Sequence, residues 1–449
     1  MNRVYKYFLL FVTLFAIVSC STAVEHEIAQ VASPVFLSST PASGASGVKP
    51  GNVTISITYD KNVFFASQKK DQLLISNEGS IVKADVIGSS PTLVVEVNCP
   101  SRNTSYTLTV PEGLVTGPNA MPAPAVEVSF TTQGLDMQPV NTLTPEAQKV
   151  YDFLQATYEQ KTISGMMANV SWNVEESEQV YAWTGKYPAL NCFDYIHLKA
   201  SAEGSWINYG DITPVSDWWN AGGLVAAMWH WNVPASEGSE SLTTYKDETA
   251  FDIDKAFTEG TWEYQTVQAD LEKIAGYLQL LKNEGIPVIW RPLHEAAGGW
   301  FWWGKNADSF KKLWIQMFDY FKAQGLNNLI WVWTTETGDA DWYPGDQYVD
   351  VVGRDLYGNS AADCASQYQT VISEFGNKMV ALSECGAYVD TQSPLGLLSE
   401  QWTAGARWLW FMPWYDNEGA SLSHADKAWW QDAMSQSYVI SRDQLPSFK

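Results

Sequence analysis

Two glutamates lie at the ends of short apolar segments that have the composition of buried β-strands. Glu295 ends residues 290–295, WRPLHE, and Glu384 lies within residues 381–386, ALSECG. A lone glutamate at a strand end is more often an ion-pair partner. Two carboxyl groups that face one cleft are what hydrolysis of a glycosidic bond requires, since one donates a proton to the leaving oxygen and the other attacks or activates water. The aromatic run 300–303, WFWW, directly after Glu295 favours such a cleft.

The elements that must position these glutamates follow from the pattern of the chain after about Pro139. Amphipathic helices are predicted at 266–284 and 307–323. Short apolar strand candidates alternate with the helical stretches, at 161–164, 187–191, 223–229, 287–291, 329–333, 349–353, 379–383 and 407–411. Eight such units predict an α/β fold, a (β/α)8 TIM barrel over 139–449, in which the fourth and seventh strands carry the glutamates to the mouth. An open doubly wound sheet is the alternative, but the chain contains no GxGxxG or P-loop sequence.

Composition and charge limit the possible functions of the chain. Its 449 residues include 27 Lys and Arg against 50 Asp and Glu, a formal net charge of −23. This charge repels phosphate backbones, so no nucleic-acid partner is expected. Hydrophobic residues make up 46% of the chain and charged residues only 17%, which excludes disorder as the main state. All 22 tryptophans lie between Trp172 and Trp430, so the first part of the chain is built differently.

The region 34–133 shows the two-residue alternation of half-buried strands. Val53, Ile55, Ile57 and Tyr59 point one way, and similar runs follow between clusters of Gly, Pro, Asn and Ser. The pattern predicts an antiparallel β-sandwich of about 100 residues. Its opening, residues 39–50 (STPASGASGVKP), resembles the bacterial Ig-like domains found beside polysaccharide-degrading modules. Because the segment has no tryptophan, a spacer is favoured over the alternative, a glycan-binding module.

The N-terminus has the features of an export signal. Arg3 and Lys6 precede an apolar run, residues 7–18, that is too short to span a bilayer comfortably. It ends in residues 17–20, IVSC, which resemble a bacterial lipobox with Cys20 as the lipidated residue. We therefore expect a signal peptide at 1–19, a linker at 20–33 and an exported lipoprotein held at the outer membrane through acyl chains. An ordinary secretory signal with an incidental cysteine is the alternative.

The remaining cysteines give no support for a metal centre. None of Cys99, Cys192, Cys364 and Cys385 forms a CxxC pair, so a structural zinc site is not expected. Buried free thiols are preferred, and a disulfide is the alternative. No metal or other cofactor is expected, and the chain is expected to be a monomer.

The segment 290–295 together with residues 298–304, GGWFWWG, closely resembles the acid/base segment of glycoside hydrolase family 26. Ser383 and Glu384 resemble the nucleophile segment of that family. Most characterised members are retaining endo-β-1,4-mannanases, so the resemblance implies that Glu295 is the general acid/base and Glu384 the nucleophile. Ala296 and Ala297 depart from the Met-Asn of many members, which puts polar contacts near the cleavage point in doubt.

The resemblance also implies roles for residues around the nucleophile. Arg291 would hydrogen-bond Glu384 and favour its charged form. Tyr357, after the sixth strand, would donate its hydroxyl to Glu384. His294 would contact the substrate near the bond that is broken.

Further residues are expected to bind the sugar. By the resemblance, His230 after the third strand would reach the sugar before the scissile bond, and Trp414 after the eighth would stack under it. Trp300 and Trp303 lie beyond a strand end and are assigned to the cleft, whereas tryptophans inside strands are assigned to the core.

The predicted function is a retaining endo-β-1,4-mannanase acting on β-mannan, galactomannan or glucomannan. Within the same family, a β-1,3-xylanase or a mixed-linkage β-glucanase is the alternative. From another class, a non-catalytic surface glycan-binding lipoprotein would keep the Trp-rich cleft, but it has no need for both Glu295 and Glu384.

Overall fold

The computed structural model describes residues 32–388, 393–415 and 422–449. The predicted signal peptide, Cys20 and most of the predicted linker lie outside the described residues. Among the helices that are described, none has the length and apolar character needed to cross a membrane.

The N-terminal part is a β-sandwich, as the alternation predicted. Its two four-stranded sheets have the orders β1-β3-β6-β5 and β2-β8-β7-β4. The strands are β1 Phe36–Thr40, β2 Ala45–Val48, β3 Gly51–Tyr59, β4 Leu74–Ile75, β5 Ser80–Asp85, β6 Thr92–Cys99, β7 Ser105–Val110 and β8 Val126–Thr132. The paired strands are antiparallel except β2 and β8, which are parallel. Along β3 the residues Val53, Ile55, Ile57 and Tyr59 are all buried between the sheets, because alternate side chains of a strand point to one face.

The C-terminal part is a closed barrel of eight parallel strands, which confirms the predicted fold. The barrel strands are β9 Thr162–Met167, β10 Leu190–Asp194, β11 Leu224–Trp229, β14 Val288–Pro292, β15 Leu329–Thr335, β16 Val351–Tyr357, β17 Met379–Gly386 and β18 Trp410–Pro413. Each overlaps one of the eight predicted strands, and β18 pairs with β9 to close the barrel. Three short strands complete the sheet content: β12 Val233–Pro234 and β13 Leu242–Thr243 form a hairpin after β11, and β19 Val439–Ile440 pairs with β9.

Helices alternate with the barrel strands and bury one face against them. They are α1 Pro145–Thr157, α2 Glu175–Thr184, α3 Thr213–Asn220, α4 Trp262–Asn283, α5 Ala307–Ala323, α6 Ala361–Phe375, α7 Leu398–Thr403 and α8 Lys427–Ser435. The boundaries of α5 are those predicted, and the Asn306 side chain caps it by accepting from the Ser309 N–H. Helix α4 begins earlier than predicted because Thr261 caps it, accepting from the Tyr264 N–H.

The sandwich packs against the floor of the barrel. Arg102 Nε donates to Glu159 Oε1 over 3.0 Å, and the Asn52 N–H donates to Ser373 Oγ over 3.1 Å. Glu159 precedes β9 and Ser373 lies near the end of α6, before β17, so both lie at the end of the barrel where the strands begin. The mouth, where the strands end, therefore lies on the opposite side from the Ig-like domain.

The four cysteines within the described residues are buried free thiols, Cys99, Cys192, Cys364 and Cys385. This arrangement agrees with the sequence-based prediction of buried free thiols rather than a disulfide.

Candidate active site

The two glutamates meet at the mouth of the barrel. Glu384 lies within β17, and Glu295 follows β14 by three residues. One carboxylate oxygen from each of Glu295, Asp355 and Glu384 lies within 4.8 Å of the others. Leu293 and Glu295 have φ of 52° and 51°, a left-handed conformation that residues other than glycine adopt only where the surrounding packing imposes it. The chain between β14 and the mouth is therefore held in a specific and strained path.

A buried arginine binds two of the three carboxylates. Arg291 Nη1 donates to Glu384 Oε1 over 2.6 Å, and its Nη2 donates to Asp355 Oδ2. The Nε donates to Thr334 Oγ1 over 2.9 Å, and Ser383 Oγ donates to Asp355 Oδ1 over 2.8 Å. Burial opposes the charge on Arg291, which is 2% exposed, but Asp355 and Glu384 raise its pKa above the ordinary value. The guanidinium thus supplies a permanent positive charge beneath Glu384.

The second oxygen of Glu384 accepts a hydrogen bond from a phenol. Tyr357 OH donates to Glu384 Oε2 over 2.9 Å. Burial, and after it the Glu384 charge, raise the pKa of Tyr357 well above its usual value, so the hydroxyl keeps its proton. With Arg291 on one oxygen and Tyr357 on the other, the orientation of the Glu384 carboxylate is fixed.

His294 lies beside Glu384 and is almost fully buried, and its expected contact with the substrate stays a prediction. Its ring is 1% exposed, and Nε2 is 3.9 Å from Glu384 Oε1. Burial, His230 and Arg291 lower the pKa of His294 well below the ordinary value, so the ring is neutral at neutral pH.

Glu295 has a different electrostatic environment from Glu384. Burial first, and then the charges of Asp355 and Glu384, raise the pKa of Glu295 far above the usual range of a carboxyl group, although Arg291 acts in the opposite direction. Burial and the Glu384 charge raise the pKa of Asp355 as well. Glu295 is consequently protonated at neutral pH. Carboxyl groups whose surroundings separate their pKa values can act as acid and base in one site.

Two of the residues expected at the sugar lie together beside the pair. His230 Nδ1 is 2.6 Å from Asp194 Oδ2, which fixes the ring. The His230 ring is 4.4 Å from the His294 ring and 5.7 Å from the Trp414 ring, measured between centroids. Trp414 is half-buried, so part of its surface is open to the mouth.

One expected sugar contact is wrong. Trp303 is 0% exposed, because it stacks on Phe301 at 4.4 Å between centroids, and its Nε1 donates to the His294 carbonyl over 2.9 Å. A fully buried indole offers no face to a sugar, so Trp303 supports the backbone at His294 instead. Trp300 is 42% exposed, and its assignment to substrate stays a prediction.

Sequence reasoning missed two aspartates of the site. Asp355 binds Arg291, and Asp194, the last residue of β10, holds His230. The available signal was a carboxylate inside or at the end of an otherwise apolar strand, since such a group is rarely buried without a partner. A register shift in the pairing of β16 with β17 sets Asp355 opposite Glu384, and nothing in the local sequence indicates that shift.

The fourth strand of the closed barrel leads to a protonated glutamate, and the seventh carries a glutamate held by Arg291 and Tyr357. This combination of fold and site is typical of glycoside hydrolases with a barrel fold. The family model for glycosyl hydrolase family 26 matches residues 140–444, and that for a bacterial Ig-like domain matches residues 30–132. The chain belongs to glycosyl hydrolase family 26 and carries an N-terminal Ig-like domain.

Curated relatives support this assignment. The chain is 35% identical over 314 residues to mannan endo-1,4-beta-mannosidase B of Piromyces sp, which covers 68% of this chain and 52% of the relative. It is 33% identical over 313 residues to the mannan endo-1,4-beta-mannosidase of Thermothelomyces thermophilus, covering 68% of this chain and 62% of the relative. The chain thus spans only about half to three fifths of the length of these relatives.

A solved structure matches the barrel almost completely. The family 26 domain of an endo-beta-mannanase/endo-beta-glucanase from Prevotella bryantii is 39% identical, with a TM-score of 0.65, over 69% of this chain and 99% of that domain. A beta-mannanase from a symbiotic protist of the termite Reticulitermes speratus, solved with a gluco-manno-oligosaccharide, is 36% identical with a TM-score of 0.61. The match covers 70% of this chain and 98% of that protein.

Proposed function

We propose that the barrel is a retaining endo-β-1,4-mannanase that hydrolyses β-mannan, galactomannan or glucomannan. The observation that carries the proposal is the short distance between the two glutamates, since one carboxyl oxygen of Glu295 lies within 4.8 Å of one of Glu384. A retaining pair stands about 5–5.5 Å apart, whereas an inverting pair needs roughly 6.5–9.5 Å to admit a water. The names of the relatives support mannan as the substrate.

In the first step, Glu384 attacks the anomeric carbon while Glu295 gives its proton to the leaving glycosidic oxygen. The bond to that oxygen breaks, and a covalent glycosyl-enzyme forms on Glu384. Arg291 and Tyr357 hold the attacking carboxylate in line with the sugar.

In the second step, Glu295 takes a proton from water, which attacks the anomeric carbon and releases Glu384. The first step prepares this change of role. The Glu384 charge raises the pKa of Glu295, and that charge disappears when the ester forms. Glu295 therefore becomes easier to ionise at the stage where it must act as a base.

In this proposal the sugar before the scissile bond stacks on Trp414 and is also reached by His230, whose ring packs against that of Trp414. The open part of the Trp414 ring suits the apolar face of a sugar, and the His230 ring, fixed by Asp194, directs a polar nitrogen at its hydroxyls. A net charge of −23 suits a neutral polysaccharide.

We also propose that Cys20 anchors an exported chain in the outer membrane, which rests on the sequence alone. The Ig-like domain, on the floor of the barrel, would act as a spacer that keeps the mouth turned away from the anchor. Under this proposal Cys20→Ala moves the chain from the membrane fraction to the soluble fraction, and an unchanged distribution contradicts it.

The function is tested by reducing-sugar release from mannan, mixed-linkage β-glucan and β-1,3-xylan. The proposal expects release from mannan, and loss of at least about 10⁴-fold in Glu384→Ala. Release from xylan or β-glucan alone would mean that this polysaccharide, rather than mannan, is the substrate. Release from none of the three polysaccharides would indicate a non-catalytic glycan-binding protein.

A further inference from the structure

The chain segment before α8 is fastened to the strand that carries Glu384 by two reciprocal hydrogen bonds. The Ala387 N–H donates to the His424 carbonyl over 2.7 Å, and His424 Nδ1 lies 3.0 Å from the Ala387 carbonyl. A carbonyl oxygen can only accept, so Nδ1 of His424 carries the hydrogen. Ala387 directly follows the last residue of β17, three positions beyond Glu384.

The His424 ring lies directly on the backbone at the end of β17. A Cβ atom on Gly386 would be 2.7 Å from His424 Cβ and 2.9 Å from Nδ1, closer than real side chains approach. Glycine at this position is what allows the approach. Close packing on the end of β17 therefore fixes the position of the His424 ring.

The same ring packs against the phenol that binds Glu384. The centroids of the His424 and Tyr357 rings are 5.6 Å apart and their planes meet at 73°, an edge-to-face contact. Tyr357 in turn donates its hydroxyl to Glu384 Oε2 over 2.9 Å. Two successive contacts, through the Tyr357 ring and its hydroxyl, thus connect His424 to the Glu384 carboxylate.

We infer that His424 is a positioning residue for the hydrolysis: it fixes the Tyr357 ring so that its hydroxyl stays directed at Glu384. The inference rests on the proposed roles of Tyr357 and Glu384. The contacts of His424 are with Tyr357 and with the backbone of Ala387 rather than with Glu295 or Glu384, so we expect its loss to lower kcat and leave KM nearly unchanged.

Three substitutions separate the ring from the hydrogen bond. His424→Asn places an amide donor near the position of Nδ1 but has no ring, His424→Phe keeps a ring without the donor, and His424→Ala has neither. We expect His424→Asn to keep the melting temperature within a few degrees of the parent and to lose roughly 3- to 10-fold in kcat. A His424→Asn enzyme with parental kcat would overturn the inference, whatever the stability of the other two variants.

A double-mutant cycle tests whether His424 acts through Tyr357. The kcat of each enzyme is measured on an activated aryl β-mannobioside, on which weak variants still turn over. In the Tyr357→Phe background, adding His424→Asn should change kcat by less than about twofold, because the hydroxyl that the ring positions is already gone. If the two losses multiply, His424 acts by another route and the inference fails.

Two controls keep this result distinct from a failure of the proposed function. His197→Ala removes another histidine ring, one that packs at 4.7 Å on Trp206 and makes no contact with Tyr357. Its kcat should stay within about twofold of the parent, and a loss as large as that of His424→Asn would make the effect nonspecific and overturn the inference. Glu384→Ala tests the proposed function itself, because a loss of mannan hydrolysis well below about 10⁴-fold there contradicts the nucleophile irrespective of His424.

Discussion

At the residue scale, chemistry depends on giving two similar carboxyl groups different surroundings. Arg291 and Tyr357 each bond one oxygen of Glu384, whereas Glu295 is half-buried, and its pKa is raised by burial and by its negative neighbours Asp355 and Glu384. Arg291 pairs with Asp355 and Glu384 and neutralises part of their negative charge. The environment of the pair, rather than the identity of its members, separates acid from nucleophile.

The influence of Asp355 on Glu295 predicts a shift of the pH profile. Because the Asp355 charge raises the pKa of Glu295, Asp355→Asn should lower that pKa. Activity requires protonated Glu295, so the basic limb of kcat/KM should move to lower pH, which is measured as a pH–rate profile on soluble manno-oligosaccharide. A basic limb that stays in place or moves upward would contradict the assigned coupling.

The role of Glu295 as the acid predicts a substrate-dependent defect. Glu295→Ala should lose activity on mannan but still form the covalent intermediate from an activated aryl mannoside, whose leaving group needs little protonation. Added azide should then accelerate turnover, since an anion attacks without a base. An equal loss on mannan and aryl substrate, with no response to azide, would argue against the acid/base role.

At the element scale, eight apolar strands and two amphipathic helices were predictable because barrel strands are buried on both faces and helices repeat at their own period. The sites at the strand ends were only partly predictable. Glu295 and Glu384 follow from strand-end positions, but the exposure of Trp303 depends on how the loop after β14 folds back on Phe301. The register shift that sets Asp355 beside Glu384 depends equally on long-range pairing.

The loop after β14 predicts opposite effects for two tryptophans. Trp303→Ala empties a fully buried site and should cost about 3–5 kcal/mol of unfolding free energy. Trp300→Ala, at an exposed position, should leave stability within about 0.5 kcal/mol and raise KM if the indole binds sugar. Denaturant unfolding and Michaelis–Menten kinetics separate the two, and a stable Trp303→Ala would mean that its packing is misassigned.

At the scale of the whole molecule, contacts far apart in sequence join the sandwich to the barrel floor. Arg102 of the sandwich pairs with Glu159, and Asp136, in the segment that connects the two domains, pairs at 2.7 Å with Lys378, which is almost fully buried. Such pairings depend on the assembled fold, so the alternation and composition that predicted each domain separately gave no sign of them. They connect the Ig-like domain to the end of the barrel away from the mouth.

This arrangement predicts the behaviour of the isolated barrel. Residues 139–449 should keep kcat and KM on soluble manno-oligosaccharides, because both glutamates and every tryptophan lie in that segment. The melting temperature should fall, since Lys378 loses its ion pair with Asp136 and Glu159 loses its ion pair with Arg102. Loss of activity by a barrel that remains folded would show that the Ig-like domain shapes the cleft.

The central claim is that Glu384 attacks the sugar directly, and the configuration of the first product tests it most directly. Proton NMR is recorded in the first minutes of manno-oligosaccharide hydrolysis, before the anomers equilibrate. Two successive displacements return the configuration of the substrate, so the account predicts the β-anomer as the first product from a β-linked mannan. An initial α-anomer would mean a single displacement by water and would contradict the assignment of Glu384 as nucleophile.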